Sequence, residues 1–262
     1  MKLANKVAWS EGLLLLPQHF QQADRYHESL LFSRFSAADP QAFGVVAVGF
    51  DVHRLKQQEE LSLVHFEGIM PDGLPVVLGE SQAELPAARA ITDHFPPAME
   101  ALEVYLSVPT ERPGINNYAT DGERLRYRVG ARRLADASAD DRADDVGVVS
   151  PNPLLLFGDE IRDDSASIKI AEIVRAGREG LSLSSTYIPP CLRVGSSPVL
   201  TEHFRRLLSL MVVRHRSLSS ARRVVGDSRV EFNAADVTRY LQLNALNSML
   251  PSIQRLAEDD RR

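Results

Sequence analysis

The sequence predicts an α+β protein: a mainly β, sandwich-like N-terminal domain followed by a helical segment. Three observations carry this expectation. Short apolar segments, several of them strictly alternating, recur between residues 43 and 187 with turn residues between them. None of the connections has the length and periodicity of a βαβ crossover helix. After Ile188-Pro189-Pro190 the apolar period changes from two to alternating threes and fours.

The chain opens on an arm and a short helix, residues 1–28. Leu13-Leu14-Leu15-Leu16 is stopped by Pro17, which fixes φ and offers no N–H. Phe20, Ala23 and Tyr26 then follow at helical spacing. The leucine run reads either as a strand on the domain's own core or as an arm that docks on a neighbouring subunit or partner. The same two readings hold for Trp9, Leu14, Leu16 and Phe20, which are core residues or anchors for a partner.

Residues 29–190 form the expected β-rich domain. Residues 30–39 are mixed in character and end on a turn at Asp39-Pro40. Strands are expected over 43–52, 61–70 and 74–78. The last two are joined by Pro71-Asp72-Gly73, in which Pro presets φ and Gly accepts a positive one. Residues 102–108 alternate with Leu102, Val104, Leu106 and Val108 on one face. Leu125, Tyr127 and Val129 alternate with Arg124, Arg126 and Arg128, predicting another strand with its apolar face buried. The acidic run 136–145 reads as a solvated or mobile loop without calcium-loop spacing. Further strands are expected within 161–175 and 181–187.

Residues 191–262 form the helical part. Ser197-Pro198 suits an N-cap and first helical position. Phe204, Leu208, Met211, His215, Leu218, Arg222 and Val225 fall at spacings of four and three. Such a stripe is either the buried face of a bundle helix or the seam of an oligomeric coiled coil. Gly226-Asp227 ends this helix. Asn233 and Asp236 suit the start of a second one through Leu256, which Pro251 should kink or end.

Composition narrows the function. The 262 residues are 44% apolar and 25% charged, as in ordinary globular proteins. A net charge of −5 argues against binding nucleic acid or anionic membrane by electrostatics. Cys191 is the single cysteine, which rules out an internal disulfide and a four-cysteine zinc site and fits a reducing compartment. No run approaches the roughly 20 apolar residues of a spanning helix. The segment after Lys2 and Lys6 lacks a signal-peptide pattern. A cytoplasmic location without direct membrane insertion is expected. Phosphate-loop, dinucleotide and nucleophile-elbow motifs are missing. His19 and His27 stand about two helical turns apart, with Phe20 and Ala23 offering no ligand between them. No catalytic residue, metal or cofactor is expected.

Three strings carry a resemblance. Trp9-Ser10-Glu11-Gly12-Leu13-Leu14-Leu15-Leu16-Pro17-Gln18-His19-Phe20 resembles the opening of the TssK family, the baseplate subunit of bacterial type VI secretion systems. Tyr187-Ile188-Pro189-Pro190-Cys191-Leu192-Arg193-Val194-Gly195-Ser196-Ser197-Pro198 and Leu241-Gln242-Leu243-Asn244-Ala245-Leu246-Asn247-Ser248-Met249-Leu250-Pro251 are similar to later family strings, in the same order. The resemblance implies a homotrimeric structural adaptor with a β shoulder like that of phage receptor-binding proteins, a helical neck and a C-terminal head. It implies that the shoulder docks the TssF–TssG wedge. It also implies that a head, which nothing in these 262 residues matches, reaches the membrane complex of TssL, TssM and TssJ. The chain therefore reads either as a truncated piece of a longer protein, which the abrupt end of the helices favours, or as a shortened relative. Within it, Phe204, Leu208, Met211, His215 and Leu218 are the expected trimer contacts. The alternative is a phage-tip-like trimeric module that binds a receptor or carbohydrate.

Overall fold

The structure is a computed structural model that describes residues 3–79, 83–120, 122–138, 142–177, 180–223 and 234–258. Residues 3–16 lie in an extended arm without regular structure. Pro17, in the first helical position, then starts helix α1 (Pro17–Ala38). The helix runs through residues 30–38, whose mixed composition had not predicted one.

Strand β1 (Gly44–Phe50) stops at Asp51, whose Oδ1 accepts from the Arg54 N–H at 2.9 Å and caps helix α2 (Val52–Gln58). This short helix replaces the end of the expected strand. Next come β2 (Glu60–Leu61), β3 (Leu63–Ile69), β4 (Pro75–Leu78), β5 (Arg89–Ala90) and β6 (Ala101–Pro109). β3 and β4 pair antiparallel across the Pro71-Asp72-Gly73 turn, as their sequence predicts. The Gly73 N–H donates to the Met70 carbonyl at 2.9 Å, and Gly73 takes φ +86°.

The chain continues through β7 (Tyr118–Ala119), β8 (Tyr127–Ala135), β9 (Ala143–Pro151), β10 (Leu154–Phe157), β11 (Ser165–Arg175) and β12 (Leu181–Leu183). Sheet β1-β3-β4 and sheet β10-β6-β11-β12 share one core, which includes Val45, Phe66, Val76, Leu102, Val104, Leu106, Phe157, Ile168 and Ile173. In β11 the register slips between Lys169 and Ala171, so Ile170 and Ala171 are both buried. That bulge re-phases the alternation and keeps Ile173 on the core side.

Two expectations fail around the third sheet, β7-β8-β9. Arg126, rather than the apolar members of its stretch, is the buried residue, whereas Val129 remains 42% exposed. A guanidinium can be buried there because its Nη1 donates to Asp72 Oδ2 at 2.7 Å and to the Pro109 carbonyl at 3.0 Å. The acidic run is only partly a loop. Asp144 and Asp145 belong to β9, with Asp145 opposite Arg133 across the ribbon; Asp140 and Asp141 lie outside the described residues.

The Tyr187–Ser197 string is the joint between sheets and helices. Tyr187 Oη donates to the Lys169 carbonyl at 2.9 Å. Pro190 accepts from the Val45 N–H at 2.8 Å, and the Leu192 N–H donates to the Val45 carbonyl at 2.9 Å, so the string lies along β1 as a parallel strap. Ser196 Oγ then holds the Val46 carbonyl at 2.8 Å. Helix α3 (Pro198–Arg223) begins two residues later, with its first turn held by the Thr201 N–H to the Ser197 carbonyl at 2.9 Å. Helix α4 (Ala234–Glu258) contacts the 194–196 turn and runs back along α3, continuing unbroken past Pro251. Val225, Gly226-Asp227, Asn233 and the Arg222 side chain lie outside the described residues.

The strap needs a glycine at its contact. A Cβ on Gly44 would stand 2.8 Å from the Pro190 carbonyl oxygen, at φ +149°. Gly44→Ala is expected to cost about 1–3 kcal/mol, read as a lowered melting temperature. Gly130→Ala, which meets open space at an ordinary φ, should leave it nearly unchanged.

Candidate functional site

The arm lies along α1 rather than in the core. The Ala4 N–H donates to Ser29 Oγ at 3.1 Å, Gln22 Nε2 donates to the Asn5 carbonyl at 2.7 Å, and Lys6 Nζ stands 5.2 Å from the Tyr26 ring centre. The chain turns at Gly12, φ +77°, and enters the helix through a reciprocal cap. The His19 N–H donates to the Leu16 carbonyl at 3.0 Å, while His19 Nδ1 accepts from the Leu16 N–H at 3.1 Å. The ring centre of His19 also lies 6.1 Å from that of Trp9. His19 is therefore a capping residue, and His27 stands edge-on to Tyr26 with ring centres 5.3 Å apart.

This arrangement leaves large apolar groups in solvent. Trp9 is 57% exposed, Leu14 76%, Leu16 46% and Phe20 55%. The sequence missed three more on α1: Leu31, Phe32 and Phe35 are also exposed. Their helical spacing could have drawn attention, but the stretch had not been read as helix. Phe32 doubles as a seat for the helix, because its ring lies on the Gly73 turn where any Cβ would collide with it.

The α3 stripe faces α4 within the same chain. Leu218 is buried, and Phe204, Leu208, Met211 and His215 are half-buried. Opposite them, α4 turns in Leu243, Leu246, Leu250 and Ile253, again at alternating threes and fours. His215 Nε2 lies 2.9 Å from Asn247 Oδ1, and Arg214 donates to Gln242 Oε1 at 3.0 Å. The outer surfaces keep Leu207, Leu210, Val213, Tyr240, Leu241 and Met249 exposed.

Among the described residues, His94, Asp159 and Glu160 form the one cluster spaced to ligate a metal. Arg89 already sits in it, donating to Glu160 Oε2 at 2.5 Å with Nη2 3.2 Å from His94 Nε2. A fixed guanidinium at that position neutralises the carboxylate and repels a cation. Cys191 is half-buried, its thiol pushed up by burial, which disfavours the reactive thiolate. An apolar groove of about 590 Å³ lies at the joint, lined by Val48, Phe50, Ile170, Leu183, Pro189 and Val199 among others. A second cleft of about 600 Å³ separates α1 from the β7-β8-β9 sheet.

The fold is a β-rich domain strapped to a helical hairpin, with large apolar groups of the arm, α1 and the hairpin presented outward. Residues 19–262 match the family described as bacterial type VI secretion, VC_A0110, EvfL, ImpJ, VasE. The chain belongs to this family, that of TssK. It is 29% identical over 259 residues to the type VI secretion system baseplate component TssK1 of Pseudomonas aeruginosa, covering 94% of this chain and 54% of the relative. The chain thus spans about half the length of the curated relative it matches. A solved baseplate complex from the type VI secretion system contains a similar chain at 25% identity and TM-score 0.81, over 97% of this chain and 57% of that one. A TssK-TssF-TssG baseplate subcomplex shares the fold at 23% identity and TM-score 0.82, over 98% of this chain and 81% of that one.

The seat of α1 carries a pH signature. Glu28 lies at the second cleft, where partial burial, then the Glu111 and Asp24 carboxylates, push its carboxyl above the ordinary value of 4.5. A carboxyl raised in the folded state favours folding below pH 4.5, and this advantage is lost as the pH climbs through the raised value. At neutral pH the charged form therefore opposes the fold. Because the Glu28 side chain is solvent-exposed, the effect is small: Glu28→Gln should raise the melting temperature at pH 7 slightly, with the difference vanishing below about pH 4.

Proposed function

We propose that this chain is the shoulder and first part of the neck of a type VI secretion baseplate subunit. It acts as a trimeric structural adaptor in the cytoplasm and docks a TssF–TssG wedge through its N-terminal arm. The observation that carries the reading is the likeness over nearly the whole chain to a protein within a baseplate complex. The geometry supports it. The arm is anchored to α1 by backbone and side-chain hydrogen bonds, yet its aromatic and aliphatic groups face outward, as anchors for a partner should. A head beyond the neck links the baseplate to the membrane complex in this scheme.

Trimerisation is assigned to the helical hairpin. Leu208 and Met211 already lean on α4, so their role in a trimer is to hold each hairpin together while contributing their open edges. Leu210 and Val213, 61% and 65% exposed, are the groups a neighbouring hairpin would cover.

Two substitutions test these roles. Trp9→Ala should weaken co-purification with the TssF–TssG wedge about tenfold or more while leaving the melting curve in place, because the indole is mostly in solvent. A melting curve that collapses instead would return Trp9 to the core. Leu210→Asp with Val213→Asp should reduce the light-scattering mass to that of a single chain while helical circular dichroism is retained. An unchanged multimer would move the trimer contact away from this face.

A further inference from the structure

Helix α1 holds the arm at its two ends and at one place between them. Residues 4–6 are tied to Gln22, Tyr26 and Ser29, and Leu16 is tied at the helix start. Among the described residues, no hydrogen bond or ion pair joins residues 7–15 to the rest of the chain. What meets them from the helix is the His19 ring, 6.1 Å from that of Trp9. One half-buried side chain therefore touches the arm twice, at the Leu16 N–H and at the indole.

The hydrogen bond fixes the protonation state of this ring. A peptide N–H only donates, so His19 Nδ1, 3.1 Å from the Leu16 nitrogen, must offer a lone pair. The ring is then the neutral tautomer with its proton on Nε2. A proton on Nδ1 would turn the acceptor into a donor facing a donor. It would also set a positive charge in the first turn of a helix, where the backbone already carries a partial positive charge. Both effects act against the closed cap once the ring is charged.

Nothing in place offsets them. The first turn of α1 carries no acid. The elements packed on the ring are the arm and α1, and their acids nearest along the chain, Glu11 and Asp24, make no hydrogen bond or ion pair among the described residues. Of the other titratable groups on these elements, Lys6 lies over Tyr26, Arg25 is paired with Glu111, and His27 stands edge-on to Tyr26.

We infer that His19 is a proton-operated latch on the arm. Neutral, it clamps Leu16 and Trp9 to the start of α1; charged, it lets residues 7–16 leave the helix. The latch belongs to the free chain, whereas its effect on a partner rests on the docking role proposed above. Histidine is the side chain that ordinarily changes charge between about pH 5 and 8. A glutamine at the same place accepts from the N-cap N–H without titrating.

The test follows two signals in the full chain. One is the emission of Trp9, the single tryptophan, which responds to a charge beside the indole; the other is hydrogen-exchange protection of the Leu16 amide. In the wild type both should change together between about pH 7.5 and 5.5, with Leu16 losing its protection. His19→Gln should hold both steady over that range, and His19→Ala should leave Leu16 unprotected throughout. His27 is present in all three chains, so its own titration is common to them. A wild type whose two signals do not move with pH overturns the latch, and so does a His19→Gln chain that moves as the wild type does. A change accompanied by loss of helical circular dichroism is unfolding rather than release and overturns it too. With the latch open, wild-type co-purification with TssF–TssG should fall about tenfold while His19→Gln stays level. Unchanged capture by an open arm leaves the latch standing and overturns the docking role of the arm instead.

Discussion

The Val45 N–H donated to the Pro190 carbonyl and the Leu192 N–H donated to the Val45 carbonyl tie the two halves of this molecule together. β1 would otherwise be an edge strand, with its outer N–H and C=O groups left to water or to another chain. The strap fills that edge with a segment from 145 residues further along the chain and delivers it directly into the first turn of α3. Two prolines make the segment stiff and extended, so little freedom is lost when it docks. Gly44 lets the backbones approach to the distance a ladder requires. The direction in which the helical hairpin leaves the shoulder is therefore set by backbone pairing rather than by a flexible linker.

A second fixed point lies at Arg126. The Arg126 guanidinium joins the β3–β4 turn through Asp72 to the end of β6 through Pro109. Asn152 extends the node, its N–H donating to the Arg126 carbonyl and its Nδ2 to the Glu123 and Leu125 carbonyls. A charge so enclosed contributes little net stability, but it leaves few alternative arrangements that satisfy it, which locates the base of the β8–β9 ribbon. Helix α1 is fixed nearby by Phe32 on Gly73 and by Arg25 with Glu111 at 2.7 Å.

Between these points the chain spends its apolar residues in two ways. One set closes the sandwich core and the α3–α4 seam. The other remains outside, on the arm, on α1 and on the outer faces of the hairpin. The β-rich domain is tied at the strap and at the Arg126 node, and the groups left outside are the ones to which the proposed partner contacts are assigned.

Much of this was legible in the residues. The alternation of Leu102, Val104, Leu106 and Val108, the Pro71-Asp72-Gly73 turn and the Ser197-Pro198 helix start follow from local rules of period and capping, which need no knowledge of the rest of the chain. The family strings were likewise readable in order along the sequence. Only the tertiary structure decided which face of residues 124–129 is buried, because an arginine goes inside only where Asp72 and the Pro109 carbonyl arrive to meet it. It also decided that the α3 stripe first meets α4, since a heptad pattern specifies a partner helix without saying whose. And it placed the leucine arm on α1 rather than in the core, a choice that depends on whether the sandwich has already been filled by strands from elsewhere in the chain. Periodicity is local and sets the elements; burial is a contest among all of them for one interior, and no single stretch contains its outcome.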